Sequence, residues 1–226
     1  CKSQGFSYVE VYVTPTGIFV SIDSKGEKQD NILSYTKRIK SRNINLNKVA
    51  KVNDFSRRFV VQDISIDEGM KILKEIDLLS PYPNYIHAIC GGLASAFFVL
   101  LFGCNYLEFI SAFFTSIFVT YTIKYLISLD FSPFLTNISG GAVSAAMAIF
   151  LSYLHPLIDS NVVIIGAIMV MVPGVAITNA LRDSIAGDLV SGLARATEAL
   201  IIATSIAFGV GFILQLWIFI IGGNLI

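Results

Sequence analysis

Arg182, Asp183, Asp188, Arg195 and Glu198 lie close together between two long apolar runs. An arginine fork can hold a carboxylate through two hydrogen bonds, and a carboxylate can hold an ammonium group or carry a proton. At mid-bilayer each charge would cost on the order of 2.5–3.5 kcal/mol even on a lenient scale. Charges are kept there only where something offsets that cost. Just before them, Pro173-Gly174 interrupts the apolar run. Proline removes a backbone donor and clashes with the preceding turn, and glycine lets the chain bend. The apolar residues 162–172 number 11, about 17 Å of helix, which puts the break inside a bilayer. Freed carbonyls and half-helix ends at such breaks supply polar partners to a solute. Adding the polar Asn179 and Ser191, the candidate substrate-binding or coupling residues are Pro173, Gly174, Asn179, Arg182, Asp183, Asp188, Ser191, Arg195 and Glu198. Two other readings stay open. The charges would also suit a solvated loop with its helix caps, and the Pro-Gly would also suit a packing kink.

The elements that must position these residues divide by composition. Of 16 Lys and Arg, 13 fall in residues 1–80, together with 10 of the 16 acids. Beyond residue 80 the chain is strongly apolar, with basic residues only at Lys124, Arg182 and Arg195. Residues 1–80 therefore predict a charged soluble domain and residues 81–226 a membrane domain, with Ser80-Pro81-Tyr82-Pro83 as the hinge.

In the first part, Val9, Val11 and Val13 alternate with Tyr8, Glu10 and Tyr12, a strand period. Thr14-Pro15-Thr16-Gly17 supplies a turn, after which Ile18, Val20 and Ile22 resume the alternation. Ser24-Lys25-Gly26 predicts a second turn, and residues 31–40 a third strand. Helical spacing follows, with Leu46, Val49, Val52, Phe55 and Phe59 on one face and Asn45 as its cap. Ser65-Ile66-Asp67-Glu68 is a capping-box pattern that opens a helix burying Ile72, Leu73, Ile76 and Leu79. The result is a small α+β domain with no metal-ligand or catalytic pattern.

The apolar part predicts an α-helical bundle of five transmembrane segments, near 86–104, 107–128, 133–154, 162–181 and 193–221, the fourth broken at Pro-Gly. Basic residues favour the cytoplasmic side, which makes the first domain cytoplasmic and turns His155 and Asp159 outward. Small residues recur every fourth position at Ala88/Gly92/Ala96, Gly140/Ser144/Ala148 and Ser205/Gly209, a pattern for close helix packing in lipid. Positions 188, 191, 195, 198, 205 and 209 read Asp, Ser, Arg, Glu, Ser, Gly and form one polar, small-residue stripe. Facing a cavity, that stripe would line a path. Arg195 and Glu198, three apart, would also pair with each other at the membrane interface. Cys90 and Cys104 lie about 21 Å apart along one helix, too far for a disulfide. Cys1 in place of an initiator Met predicts a chain incomplete at its N-terminus.

The segment MVPGVAITNALRDSIAGDLVSGLARATEALIIATSIAFGVG resembles the characteristic segment of the threonine/serine exporter (ThrE-type) family. VEVYVTPTGIFVSI resembles the soluble-domain hairpin of the same family. The resemblance implies a multi-spanning exporter of small polar metabolites in the cell membrane. Its fused members take threonine and serine, and some two-component members take dicarboxylates such as succinate. Fused members carry a second membrane half. Five spans therefore resemble the larger subunit of a split pair, a hetero-oligomer with a smaller multi-spanning membrane subunit. The resemblance implies no cofactor, no metal, no nucleic-acid partner and no enzyme activity. The sequence contains no Gly-x-x-x-x-Gly-Lys-Ser/Thr phosphate loop, which argues against ATP drive within these residues. A rival class is a membrane-anchored sensor whose soluble domain binds the ligand.

Overall fold

The computed structural model describes residues 9–23, 32–39, 45–62, 64–80 and 82–221. The chain divides into two compact units, residues 1–81 and 82–226.

The first unit opens on an antiparallel three-stranded sheet of order β1 (Val9–Thr14), β2 (Gly17–Asp23), β3 (Ile32–Arg38). Thr14 pairs with Gly17 at the hairpin end and Val11 with Val20 along it. The two-residue connection through Pro15 and Thr16 matches the turn expected there. The Ser24–Gly26 turn and the ends of the expected third strand lie outside the described residues. Alternation predicts one buried face, yet Val11, Val13 and Leu33 are all more than half exposed. Packing is better developed between two helices, α1 (Leu46–Val61) and α2 (Ile66–Asp77). The Asn45 side chain accepts from Lys48 N–H, and that of Ser65 accepts from Glu68 N–H, so both caps fall where the sequence puts them. Phe55 and Ile76 are the buried apolar side chains here. Gly69 lies beside both Phe55 and Phe59, where any side chain would meet their rings at 3.3 Å. Leu46, Val49 and Val52 stay exposed, so α1 uses only the last turns of its apolar face.

The second unit is helical. It comprises α3 (Asn84–Val99, continued by a 3-10 turn to Phe102), α4 (Tyr106–Ser128), α5 (Pro133–Leu154), α6 (Ser160–Ile168, continued by a 3-10 turn to Met171), α7 (Gly174–Ile185) and α8 (Leu189–Ile221). Four of these elements are long and apolar enough to cross a membrane: residues 84–102, 106–128, 133–154 and 189–220. The α6–α7 pair makes a fifth if it is one span, bent by 58° at its break.

Helices pack through the small residues singled out above. Ala88, Gly92 and Ala96 are buried on α3, Gly140, Ser144 and Ala148 on α5, and Ser205 and Gly209 on α8. A Cβ on Gly141 would stand 2.5 Å from Ile206 O, and one on Gly209 would meet Ile138 O across the same seam. Without a hydrophobic drive between helices in lipid, such backbone approach is the main source of contact energy. At this seam the expected polar stripe becomes a packing surface. Ser205 donates to its own helix at Ile201 O, and Gly209 is covered by α5.

Candidate functional site

The break falls where Pro173-Gly174 predicts it. Met169–Met171 tightens to a 3-10 turn, Val172 N–H reaches Met169 O, and Pro173 precedes the first residue of α7. Gly174 N–H donates to Val172 O at 2.8 Å. A proline at this point leaves backbone acceptors of the last α6 turn without their helical donor. The break packs against α4 and α8 through a small apolar cluster of Val119, Met171 and Ile206.

From the break, α7 runs to a sharp turn and α8 returns beside it. Asp188 N–H donates to Asp183 O at 2.9 Å and Gly187 N–H to Ser184 O at 3.2 Å, with Gly187 at φ +92°. These paired bonds around a left-handed residue are a Schellman motif, which favours glycine at that position. Gly192 then lets α8 touch α7, because a Cβ there would stand 3.0 Å from Ser184 N and 3.1 Å from Ala180 O.

This hairpin joins two of the candidate charges. Arg195 Nε donates to Asp183 Oδ2 at 3.0 Å, and the two side chains are 31% and 26% exposed. This ion pair is made across the turn to Asp183, whereas the spacing of Arg195 and Glu198 offers a pairing within one helix. Arg182 and Asp188 are exposed, Asn179 and Glu198 are partly covered, and Ser191 is buried. Around this partly buried ion pair, Arg182 adjoins Asp183 on α7, Asp188 lies in the turn, and Glu198 follows Arg195 by three positions on α8. The grooves of about 570 and 350 Å³ in the bundle lie elsewhere, at α5–α8 and α4–α5, and none of the nine candidates lines either.

Two features escaped the sequence reading. Glu108 is only 6% exposed. It completes a capping box with Asn105, accepting Asn105 N–H at 2.8 Å while Asn105 Oδ1 accepts Glu108 N–H at 3.0 Å. The Asn-x-x-Glu signal is present in the sequence at the start of an apolar span. Deeper in α4, the buried hydroxyls of Thr115 and Ser116 have no hydrogen-bond partner among the described residues. Ser116 would ordinarily donate to Ala112 O, but Ser95 Oγ already donates to that carbonyl at 3.3 Å. At the loop before α4, burial, and then the nearby Glu108 charge, push the Cys104 thiol upward. Among the described residues no cluster of His, Cys, Asp and Glu could hold a metal ion.

A bundle with four membrane-length helices and a bent fifth pair marks a multi-pass membrane protein. Residues 1–217 match the family described as "Putative threonine/serine exporter", and the chain belongs to that family, which comprises exporters and not enzymes. It is similar to a "Probable threonine/serine exporter" of Mycobacterium tuberculosis (strain ATCC 25618 / H37Rv), at 19% identity over 210 residues. That alignment takes in 92% of this chain and 39% of the relative, so the chain spans well under half the relative's length. No solved structure matches the chain.

Proposed function

We propose that this chain is the larger subunit of a secondary exporter in the cell membrane. Its cargo is a small polar metabolite, with threonine- and serine-type amino acids first and dicarboxylates such as succinate second. A smaller multi-spanning membrane subunit completes the pathway as a hetero-oligomer. Residues 1–80 lie on the cytoplasmic side, the side that an excess of basic residues favours.

The observation that carries this reading is the Asp183–Arg195 pair on the two helices that follow the break, inside the segment the family shares. The 22 positions 200–221 of α8 are free of charge and cover about 33 Å, enough to cross the roughly 30 Å hydrocarbon core alone. Arg195 and Glu198 then stand at the mouth of the bundle rather than at its midplane. There an amino acid can be met by both signs of charge, its carboxylate by Arg182 or Arg195 and its ammonium by Asp183, Asp188 or Glu198. Carriage from mouth to break would shift the substrate toward the carbonyls around Val172 and Gly174. Alternating access then bends the chain at Pro173-Gly174, where α6 and α7 already part.

The test is efflux of labelled threonine and serine, and of succinate, from vesicles holding this chain and its membrane partner. Arg195→Lys keeps a charge but loses the planar fork, and Glu198→Gln keeps shape but loses charge. A charged hydrogen bond is worth about 1.5–3 kcal/mol, which corresponds to about a ten- to hundredfold loss of efflux for folded protein. Normal efflux in both variants would remove these residues from the pathway. Ligand binding confined to residues 1–80, with no flux, would favour the sensor instead.

A further inference from the structure

Glu108 has a wiring that a helix cap alone does not require. Its Oε2 accepts the N–H of Asn105 at the start of α4, while its Oε1 accepts the N–H of Asp159 at the start of α6 at 3.0 Å. The second bond crosses 51 positions of sequence. Asn105 Nδ2 adds a parallel tie to Leu157 O at 2.6 Å. Two helix N-termini, each carrying about half a positive charge, therefore converge on one nearly buried carboxylate. Both of its oxygens accept from N–H donors, an arrangement that suits the ionised form. A proton taken up by either oxygen would set an O–H against an N–H and reduce the charge facing both helix ends.

We propose that Glu108 is a positioning residue for the broken span: its ionised carboxylate latches the start of α6 to α4, and protonation releases that end. This rests on reading α6–α7 as the moving element of transport. The latch lies at the end of the bundle opposite Asn84, where α4 and α6 both begin. Ile158, beside the latched N–H, belongs to a buried cluster with Ala145, Ala148, Val163 and Ile164, and Ile213 and Leu214 of α8 pack against that cluster. Release would thus be felt by the α5–α8 seam. Transport would acquire a dependence on pH at that end without any carboxylate in the substrate mouth being involved.

The other titratable groups at this end are Cys104 and Tyr106 before and on α4, Tyr153 on α5, and His155 and Asp159 in the loop after it. The described part of α6 and the last turns of α3 bring none. Asp159 caps α6, its Oδ1 accepting Asn161 N–H at 2.8 Å, a role an asparagine can keep.

Trp217 is the single tryptophan of the chain and lines the α5–α8 groove together with Phe150 and Tyr153. Its emission can be followed in purified protein, with no transport measured, as pH is lowered through the carboxylate range, from about 7 to 3. The wild-type protein is expected to show a reversible spectral step. Glu108→Gln should lack that step and sit at the acid-form spectrum throughout. The variant combining Cys104→Ser, His155→Gln and Asp159→Asn should retain it. A wild-type protein with no step overturns the latch, as does a step that survives in Glu108→Gln or vanishes in the combined variant. Should Glu108→Gln not fold, loss of the step in the combined variant still overturns the latch. Because the readout is spectral, a failure here leaves the exporter reading standing, and a failed efflux assay leaves the latch standing.

Discussion

Arg195 Nε and Asp183 Oδ2 meet at 3.0 Å across a turn in which Gly187 takes a φ of +92°, a region that favours glycine. The pair and the turn are interdependent. The Schellman bonds around Gly187 aim α8 back along α7, and the bare backbone of Gly192 lets the helices close enough for a side chain on one to reach the other. The charges that mark this segment are therefore brought together by two uncharged residues.

Close approach at the hairpin should be measurable as stability. Gly192→Ala sets a methyl against the Ser184 and Ala180 backbone, at 3.0 and 3.1 Å, where neither partner can rotate away. Overpacking of this kind costs about 1–3 kcal/mol. At Gly211 nothing lies within 4 Å, and alanine in a helix is preferred over glycine by about 0.5–1 kcal/mol. In detergent melts Gly192→Ala should lower Tm and Gly211→Ala should hold or raise it. Equal behaviour of the two would mean that α7 and α8 do not touch here.

Local rules were legible in sequence wherever one residue type decides the outcome. Asn45 and Ser65 cap their helices, Pro173-Gly174 breaks the fourth apolar run, and every small-residue ladder is buried. Partnering across a turn was not legible. Spacing along α8 offers Arg195 a neighbour at Glu198, whereas its contact with Asp183 depends on the angle set at Gly187, which no periodicity encodes. Glu108 was hidden for a related reason. One carboxylate at the start of an apolar run looks like an interfacial residue until a second loop, 51 positions away, donates to it. Exposure of Val11, Val13 and Leu33 shows the opposite failure, where strand alternation was right and burial did not follow.

Sidedness is tested by labelling. With the native cysteines replaced, a single cysteine is placed at Lys25 in the basic first unit or at Pro156 in the exposed α5–α6 loop. An impermeant maleimide added to intact cells should label Pro156→Cys and miss Lys25→Cys until the cells are opened. Labelling at position 25 from outside would reverse the orientation and move the Glu108 latch to the cytoplasmic face.

Dependence on a second membrane subunit gives a separate expectation. The pair at the α7–α8 mouth stays 31% and 26% exposed within this chain alone. Purified chain reconstituted without any partner should show no threonine or serine flux above empty vesicles. Co-reconstitution with the smaller membrane subunit should restore it. Robust flux from the lone chain would mean that copies of it suffice.

Whether Asp183 and Arg195 form a strut or a substrate site is decided by a double-mutant cycle. An exposed ion pair contributes about 0–1 kcal/mol, whereas stranding one member of a buried pair costs about 3–5 kcal/mol. At roughly a quarter to a third exposed, this pair lies between those limits. Asp183→Asn and Arg195→Gln are each expected to lower stability by about 1–3 kcal/mol, with the double variant losing less than the sum of the two. Melting temperature reports that coupling, and efflux is measured on the same samples. A strut predicts that the neutral double variant, freed of its stranded charge, recovers both stability and efflux. A substrate site predicts recovery of stability with efflux still lost, because a carboxylate no longer finds the guanidinium. The exporter reading requires this second pattern, and full recovery of efflux would move substrate binding to Arg182 and the Pro173-Gly174 break.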